Sequence, residues 1–264
     1  MRYLRLGCKG DDVTVWSQFL RGLRPCSTLV VSKVFTPTLH AETKIFQRAV
    51  GFTDSDVDGI VGPRTVGKAT ELGFDPMIDD SPADVGPNWP PRLDRGPMSY
   101  LDRSRTFGQF PFTSDPQPNN PEAIKILGGW VGENIERVKI PQLVGVTGAA
   151  AEGDVWLHKL AAQQFVNTFK AWEDAGLKHL LLTFNGSWVP RFVRGSRSHL
   201  SNHAWGTAID INYQWNTLGA QPALKGERGS VRELVSIAAD HGLFWGGWYK
   251  SRKDGMHFEI GEIR

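Results

Sequence analysis

The sequence is organised around residues 201–212, which read SNHAWGTAIDIN. In its second half, Ile209 and Ile211 face one side of an alternating pattern and Asp210 faces the other, as in a half-buried strand. His203 lies seven residues before Asp210, across a Trp-Gly pair where the chain can turn tightly. Loop and strand can therefore aim an imidazole and a carboxylate at one point.

A second stretch near the C-terminus, residues 254–260, reads DGMHFEI. His257 and Glu259 alternate with apolar residues, which predicts another strand with polar groups on one face. Two histidines and one carboxylate make the three-ligand set of a catalytic zinc, with the fourth position left to water. Asp254, three residues before His257, is placed to act as a base.

Together the two stretches have the pattern S-x-H-x-x-G-x-A-x-D followed by D-x-x-H-F-E, and residues 244–248 read FWGGW. This combination resembles the zinc D-Ala-D-Ala carboxypeptidase family of cell-wall peptidases, which includes VanY-like enzymes and phage L-Ala-D-Glu endopeptidases. The resemblance implies zinc as cofactor, His203, Asp210 and His257 as its ligands, and Asp254 as general base. Within the family, the Asp at 254 and the Trp-Gly-Gly-Trp run are closer to the endopeptidases.

A charged tetrahedral intermediate also needs a cation or hydrogen-bond donors at its oxygen. By approximate position relative to the family's tyrosine-arginine pair, Arg191 is the best candidate for this role. Arg194 and Arg197 compete with it, and their alternative interpretation is that of solvated loop charges.

Four further residues near the two motifs are expected to support the site. Ser201 would contact substrate, or it is a hydroxyl that caps a turn. Trp205 and Trp245 are predicted to bind substrate. Glu259 would act behind the ligands, by orienting His257 or another polar group, unless it is a solvent-facing strand residue.

Two rival sites are weaker. His199 and His203 are four residues apart, as in a zincin helix, but Leu200 stands where that motif has glutamate and the flanking residues favour a loop. A serine nucleophile at Ser201 lacks a G-x-S-x-G sequence. A wall-binding protein with a silent peptidase site remains an alternative, which Asp254 argues against because a purely structural site needs no base.

Residues 1–75 predict a small three-helix domain. Helical signals begin at residue 11, at residue 39 after the capping pair Thr36-Pro37, and at residue 63, with the last helix ending at Gly73. The segment DGIVGPRT at 58–65, with the preceding glycines and F-Q-x-x-x-G, resembles the peptidoglycan-binding domain. The alternative is a helical domain whose glycines merely serve turns.

The remainder is expected to contain a Pro-rich linker at 76–97 and a zinc peptidase domain at 98–264, with its core at about 150–264. Here the patterns predict a strand at 135–140, a helix at 154–175 with His158 as a surface or flanking side chain, a buried strand at 180–184 and a capped helix from Ser230 to the His241-Gly242 pair. The predicted fold class is α+β, with a small, mainly antiparallel sheet.

The composition argues against several classes of function and of site. The chain has 264 residues, 40% of them hydrophobic, and a net charge of +2 from 30 basic and 28 acidic residues, which gives no reason to expect nucleic acid. Two cysteines, Cys8 and Cys26, exclude a thiolate-rich zinc cluster and a disulfide scaffold, and their pairing stays open.

No stretch has the length of a membrane span or the apolar core of a signal peptide. The sequence therefore predicts a protein made in the cytoplasm, and we expect it to be a monomer. Its partner would be peptidoglycan, which it would reach after lysis or by signal-independent export.

Overall fold

The computed structural model describes residues 3–23, 29–72, 74, 88–93, 95–249 and 252–264. Cys26 and Gly73 lie outside them, as does most of the predicted linker. The N-terminal part contains three helices, α1 (Asp11–Leu23), α2 (Pro37–Ala49) and α3 (Pro63–Glu71). They enclose an apolar core in which the ring of Trp16 meets Phe46 and Phe74 edge-on, at 5.5 Å and 5.2 Å between centroids. All three helices begin close to where the sequence predicts them.

The turn at residues 58–65 is held by the side chain of Gln47 from α2. Its amide nitrogen donates to Asp58 Oδ1 at 2.8 Å and to Thr65 Oγ1 at 3.1 Å. Its amide oxygen accepts from the backbone N–H of Gly59 at 2.8 Å. The conspicuous residues of this motif are therefore used to fix the turn, and peptidoglycan binding by this domain stays a prediction.

The second part begins with elements that flank the site. They are α4 (Tyr100–Phe107), the hairpin strands β1 (Phe112–Ser114) and β2 (Ile124–Ile126), α5 (Trp130–Asn134), the paired strands β3 (Ile135–Lys139) and β4 (Asp154–His158), and α6 (Lys159–Asp174). The remaining elements are β5 (Phe184–Gly186), β6 (Ala208–Ile211), α7 (Arg232–Asp240), β7 (Leu243–Trp245) and β8 (His257–Ile260). The last four strands form one antiparallel sheet in the order β5-β6-β8-β7. The α+β prediction is confirmed.

Helices α6 and α7 cover one face of this sheet. Trp172 of α6 is fully buried, packs edge-on against Phe258 of β8 at 5.7 Å, and donates its indole N–H to Leu234 O of α7 at 2.9 Å. Burial of these large side chains against strands β6 and β8 makes the two strands that carry the predicted ligands a rigid base.

The predicted helix at 154–175 is wrong in its first turn, because residues 154–158 form strand β4. Val155 and Leu157 point inward while Trp156 is half exposed, and the five residues pair with β3 in antiparallel register. His158 is not a surface residue. It is 1% exposed, accepts the N–H of Leu160 at the start of α6, and contacts Phe107 O through its other ring nitrogen. Burial, partly opposed by that contact, lowers its pKa to about 4.

The structure also differs from the predictions at the strand expected at 180–184 and in the predicted linker. The buried strand expected at 180–184 is a short 3-10 turn followed by β5, which pairs with β6 only from residue 184 onward. Within the predicted linker, Trp89 is folded onto the second part of the chain, with its ring 6.0 Å from Trp245 and the guanidinium of Arg232 4.2 Å from its centre.

The two parts touch through the segment that follows β6. Thr217 Oγ1 donates to Pro63 O at 3.0 Å, the hydroxyl of Tyr3 donates to Glu227 at 3.1 Å, and Ala220 joins the apolar core of the N-terminal helices. Within the described part of the chain, no helix combines the length and the apolar character that crossing a membrane requires.

Candidate metal centre

Three side chains converge at the open face of the sheet. His203 Nε2 lies 3.2 Å from His257 Nδ1 and 3.2 Å from Asp210 Oδ1, and His257 Nδ1 lies 3.0 Å from the same oxygen. All three residues are at most 8% exposed. The sequence-predicted ligands are thus brought together, and each offers one donor atom to a common point.

The sheet register produces this convergence. Asp210 of β6 stands directly opposite His257 of β8, so both side chains leave the same face. His203 arrives from a 3-10 turn, Asn202–Trp205, which ends at Gly206 in the left-handed conformation (φ 67°). A Cβ at Gly206 would lie 2.8 Å from the backbone nitrogen of His158, so the close approach of turn and β4 requires glycine.

The other ring nitrogen of His203 fixes how that imidazole is presented. Nδ1 lies 2.6 Å from Ser187 O, and since a carbonyl only accepts, Nδ1 carries the proton and Nε2 offers its lone pair to the centre. The segment that provides this carbonyl runs beside the turn, with Val189 N donating to His203 O and Ser201 N to Arg191 O.

The electrostatics of the cluster favour an ionised carboxylate. Burial alone would raise the pKa of Asp210, but the adjacent imidazoles of His203 and His257 outweigh it and hold that pKa well below its usual range. Burial would lower the pKa of His257, yet its contacts with Asp210 raise it to about 8. A divalent cation would take the place of the proton that this raised pKa keeps on the His257 ring, since metal ligands must be deprotonated.

Asp254 lies in the loop just before β8 and lines the same cleft. Burial raises its pKa to about 7, and its Oδ1 has no hydrogen-bond partner among the described residues. Gly246 lets this loop come close, because a Cβ there would be 2.5 Å from Asp254 O. A buried imidazole pair, an ionised carboxylate and an unpartnered second carboxyl oxygen fit a bound divalent metal with water beside it.

The predicted cation at this face is Arg191. It is half-buried and lines the cleft, where the carboxylates of Asp210 and Asp254 attract it. Burial lowers its pKa despite these two neighbours. Its competitors are placed differently, because Arg194 pairs with Glu122 at 2.6 Å and Arg197 is exposed.

The structure gives Ser201 the capping geometry. Its hydroxyl accepts the N–H of His203 at 3.4 Å at the start of the turn, although it also lines the cleft. Trp205 and Trp245 do not reach the cleft, since each is 1% exposed and donates its indole N–H to a backbone carbonyl, of Gly108 and Gly255 respectively. Both rings therefore pack beneath the cleft, and their contact with substrate stays a prediction.

Glu259 is the centre of a buried network behind the ligands. It is 1% exposed and accepts from Arg103 Nη2 of α4 at 2.8 Å, from the hydroxyl of Tyr249, and from the side-chain amide of Asn202. Asn202 immediately precedes the ligand His203 on the turn. The network therefore ties the ligand turn and the wall of the cleft to one carboxylate.

Sequence reasoning missed Arg103, Tyr249 and Asn202. Arg103 is 156 positions from its partner, and no local pattern signals such a pair. Arg103 also gives a role to residues 98–146, which precede the predicted core of the domain. That segment supplies both Arg103 and Glu122, the partner of Arg194 at the rim.

The rival zincin pair is not assembled. His199 is exposed, with its ring near two serine hydroxyls, and residues 196–200 do not form a helix. Within the described residues, the metal-competent group of histidine, cysteine and acidic side chains consists of His203, Asp210 and His257. His40, His179 and His241 lie outside this group.

Comparison with known proteins points to the same part of the chain. No curated protein matches the chain. Residues 194–260 match a peptidase family model described as D-alanyl-D-alanine carboxypeptidase. The matched segment contains all three converging side chains and Asp254, so over its candidate metal centre this chain is similar to a family of peptidases.

Proposed function

We propose that the protein is a zinc-dependent peptidase that hydrolyses peptidoglycan stem peptides, with the bond between L-Ala and D-Glu as its target. The observation that carries this proposal is the convergence of His203 Nε2, His257 Nδ1 and Asp210 Oδ1 beside Asp254 in an open cleft. The donor set of two imidazoles and one carboxylate suits zinc, which in catalytic sites takes three protein ligands.

Zinc at this point would lower the pKa of a water to about 7 and polarise the carbonyl of a peptide bond. Proton transfer and charge stabilisation fall to side chains of the protein. Asp254 holds an unpartnered carboxyl oxygen in the cleft, where it can accept a proton from water and return it to the leaving amine. Arg191 lines the cleft, where its cation would stabilise the negative charge that develops on the carbonyl oxygen.

The choice of bond rests on the residues around the site. Asp254 before the last ligand and the Trp-Gly-Gly-Trp run favour the endopeptidase, and Gly246 of that run is the residue that lets Asp254 approach. D-Ala-D-Ala carboxypeptidase is the second candidate, which the description of the matching family favours.

The N-terminal helices are proposed to bind the wall polymer. Their packing against the segment after β6 places them beside the cleft, since Gly67 and Phe74 line it together with the site residues. Binding by this part would raise the concentration of stem peptide at the centre without new contacts in the active site.

Mass spectrometry of purified peptidoglycan after incubation tests the proposal. We expect new amino termini at D-Glu that disappear with a zinc chelator and return with zinc. Release of free D-alanine alone would identify the carboxypeptidase instead. The Asp254→Asn protein should keep its zinc and lose activity by about 10²- to 10⁴-fold, and activity retained in this variant would remove Asp254 from the role of base.

The alternative of another class is a wall-binding protein with a silent site. It predicts that the protein pellets with peptidoglycan and holds zinc while no stem-peptide bond is cut. Measuring sedimentation, zinc content and cleavage on one preparation separates this alternative from the peptidase.

A further inference from the structure

The cleft is rich in arginine, and most of these side chains already have partners. Arg95 pairs with Glu262 at 2.7 Å, Arg194 pairs with Glu122 at 2.6 Å, and Arg92 donates to Trp248 O. Arg191 and Arg252 line the same cleft. Among the described residues, neither has a carboxylate within ion-pair distance.

Arg252 is held in place but keeps donors free. Its Nη1 donates to Arg194 O at 3.0 Å, which links the loop before β8 to the loop after residue 193. Its Nε is buried and has no hydrogen-bond partner among the described residues. A buried guanidinium N–H without an acceptor is costly, and a planar fork of donors matches a carboxylate.

The two cleft arginines differ in the carboxylates that act on them. Arg191 is attracted by the carboxylates of both Asp210 and Asp254, which suits a cation that would meet the scissile carbonyl. Arg252 lines the cleft together with Asp254, the group expected to serve the leaving amine, and its charge lowers the pKa of that carboxyl. Its guanidinium is anchored by Arg194 O. Arg252 would therefore face the residue that follows the scissile bond.

Both candidate bonds share one chemical feature on that side. D-Glu in a stem peptide continues through its γ-carboxyl, so its α-carboxylate is free, and a terminal D-Ala also ends in a free α-carboxylate. In each case the carboxylate is attached to the carbon that bears the scissile nitrogen. We propose, on the basis of the proposed function, that Arg252 binds this α-carboxylate and restricts the enzyme to bonds followed by a residue that carries one.

The test uses pairs of peptides that differ only at this group. One pair contains L-Ala-γ-D-Glu-L-Lys and its α-carboxamide, and the other contains a peptide ending in D-Ala-D-Ala and its C-terminal amide. For the pair that is cleaved, wild-type protein should prefer the acid by roughly 10- to 100-fold in kcat/KM, as expected for one charge-assisted hydrogen-bonded pair. Arg252→Gln should lose that factor on the acid and leave the amide unchanged, and Arg252→Lys should restore part of it.

Arg197→Gln is the matched control, because Arg197 is exposed and does not line the cleft. It should keep the wild-type preference. Equal cleavage of acid and amide by wild-type protein would overturn the inference and leave the proposed function standing. An equal loss on both substrates in Arg252→Gln would also overturn it.

Binding keeps the inference testable if no peptide is cleaved. Calorimetric titration of the same peptides into zinc-loaded protein should show tighter binding of the acid, by a similar factor, and the difference should vanish in Arg252→Gln. Preference in binding without cleavage would refute the peptidase and support the carboxylate site. Equal dissociation constants for acid and amide would refute the carboxylate site.

Discussion

Removing the cation of the buried Arg103–Glu259 pair tests how the segment before the peptidase core supports the site. The side chains are 7% and 1% exposed and 2.8 Å apart. Arg103→Met preserves much of the aliphatic volume but leaves a buried carboxylate without its counter-charge, which typically costs 3–5 kcal/mol. Because Glu259 keeps its donors from Tyr249 and Asn202, we expect the lower end of this range, about 3 kcal/mol.

This loss corresponds to a fall in Tm of about 6–12 °C for a chain of this size. Urea unfolding followed by tryptophan fluorescence measures the free energy, and a thermal scan measures Tm. Arg105→Met on the same helix is the matched control, since its side chain is 77% exposed and its nearest partner, Asp102, is 3.9 Å away. That variant should stay within about 0.5 kcal/mol of wild type.

A double-mutant cycle identifies the pair as the cause. Combining Arg103→Met with Glu259→Gln should cost less than the sum of the single changes by about 1–3 kcal/mol, because the neutral amide needs no counter-charge. Additive effects, or equal losses in Arg103→Met and Arg105→Met, would refute the reasoning. Zinc affinity should fall about 10- to 100-fold in Arg103→Met, since the network holds the turn that carries His203.

Three further predictions concern the ligand turn and its support. His203→Ala should abolish stoichiometric zinc binding at micromolar metal, measured by mass spectrometry of the metal after dialysis, whereas His199→Ala should retain it. Gly206→Ala should destabilise the fold by more than about 2 kcal/mol, because the new Cβ meets backbone at 2.8 Å in a left-handed conformation. Gly195 is also left-handed (φ 79°) but has open space around its Cβ, so Gly195→Ala should cost about 1 kcal/mol. Similar losses of stability in the two variants would contradict the steric argument. His158 has a pKa of about 4 in the native state against about 6.5 unfolded, so the unfolded chain binds the extra proton and stability falls as the pH drops from 6.5 to 4. The loss reaches about 3 kcal/mol at pH 4 and should be missing in His158→Asn, which keeps a capping side chain; parallel pH profiles in urea unfolding would exclude His158 as the source.

The sequence by itself predicted the three candidate ligands and the strands that carry two of them. Alternation around Asp210 and His257 depends only on the two-residue period of a strand. In the structure the two residues are paired on neighbouring strands of one sheet, so their side chains lie on the same face. The signals that predicted the N-terminal helices are equally local, since a cap at Thr36 followed by proline specifies where a helix starts. The chemistry of two imidazoles and a carboxylate then follows from residue type.

Only the tertiary structure decided what surrounds these ligands. Residues 154–158 have a pattern that suits helix or strand, and pairing with β3 selected the strand and buried His158. The sequence favoured Trp205 and Trp245 as binding residues because they lie near the motifs, but in the folded chain both rings are buried in the apolar core. Arg103 reaches Glu259 across 156 positions, and such a pair arises because a buried carboxylate requires a partner that only the folded chain can bring near.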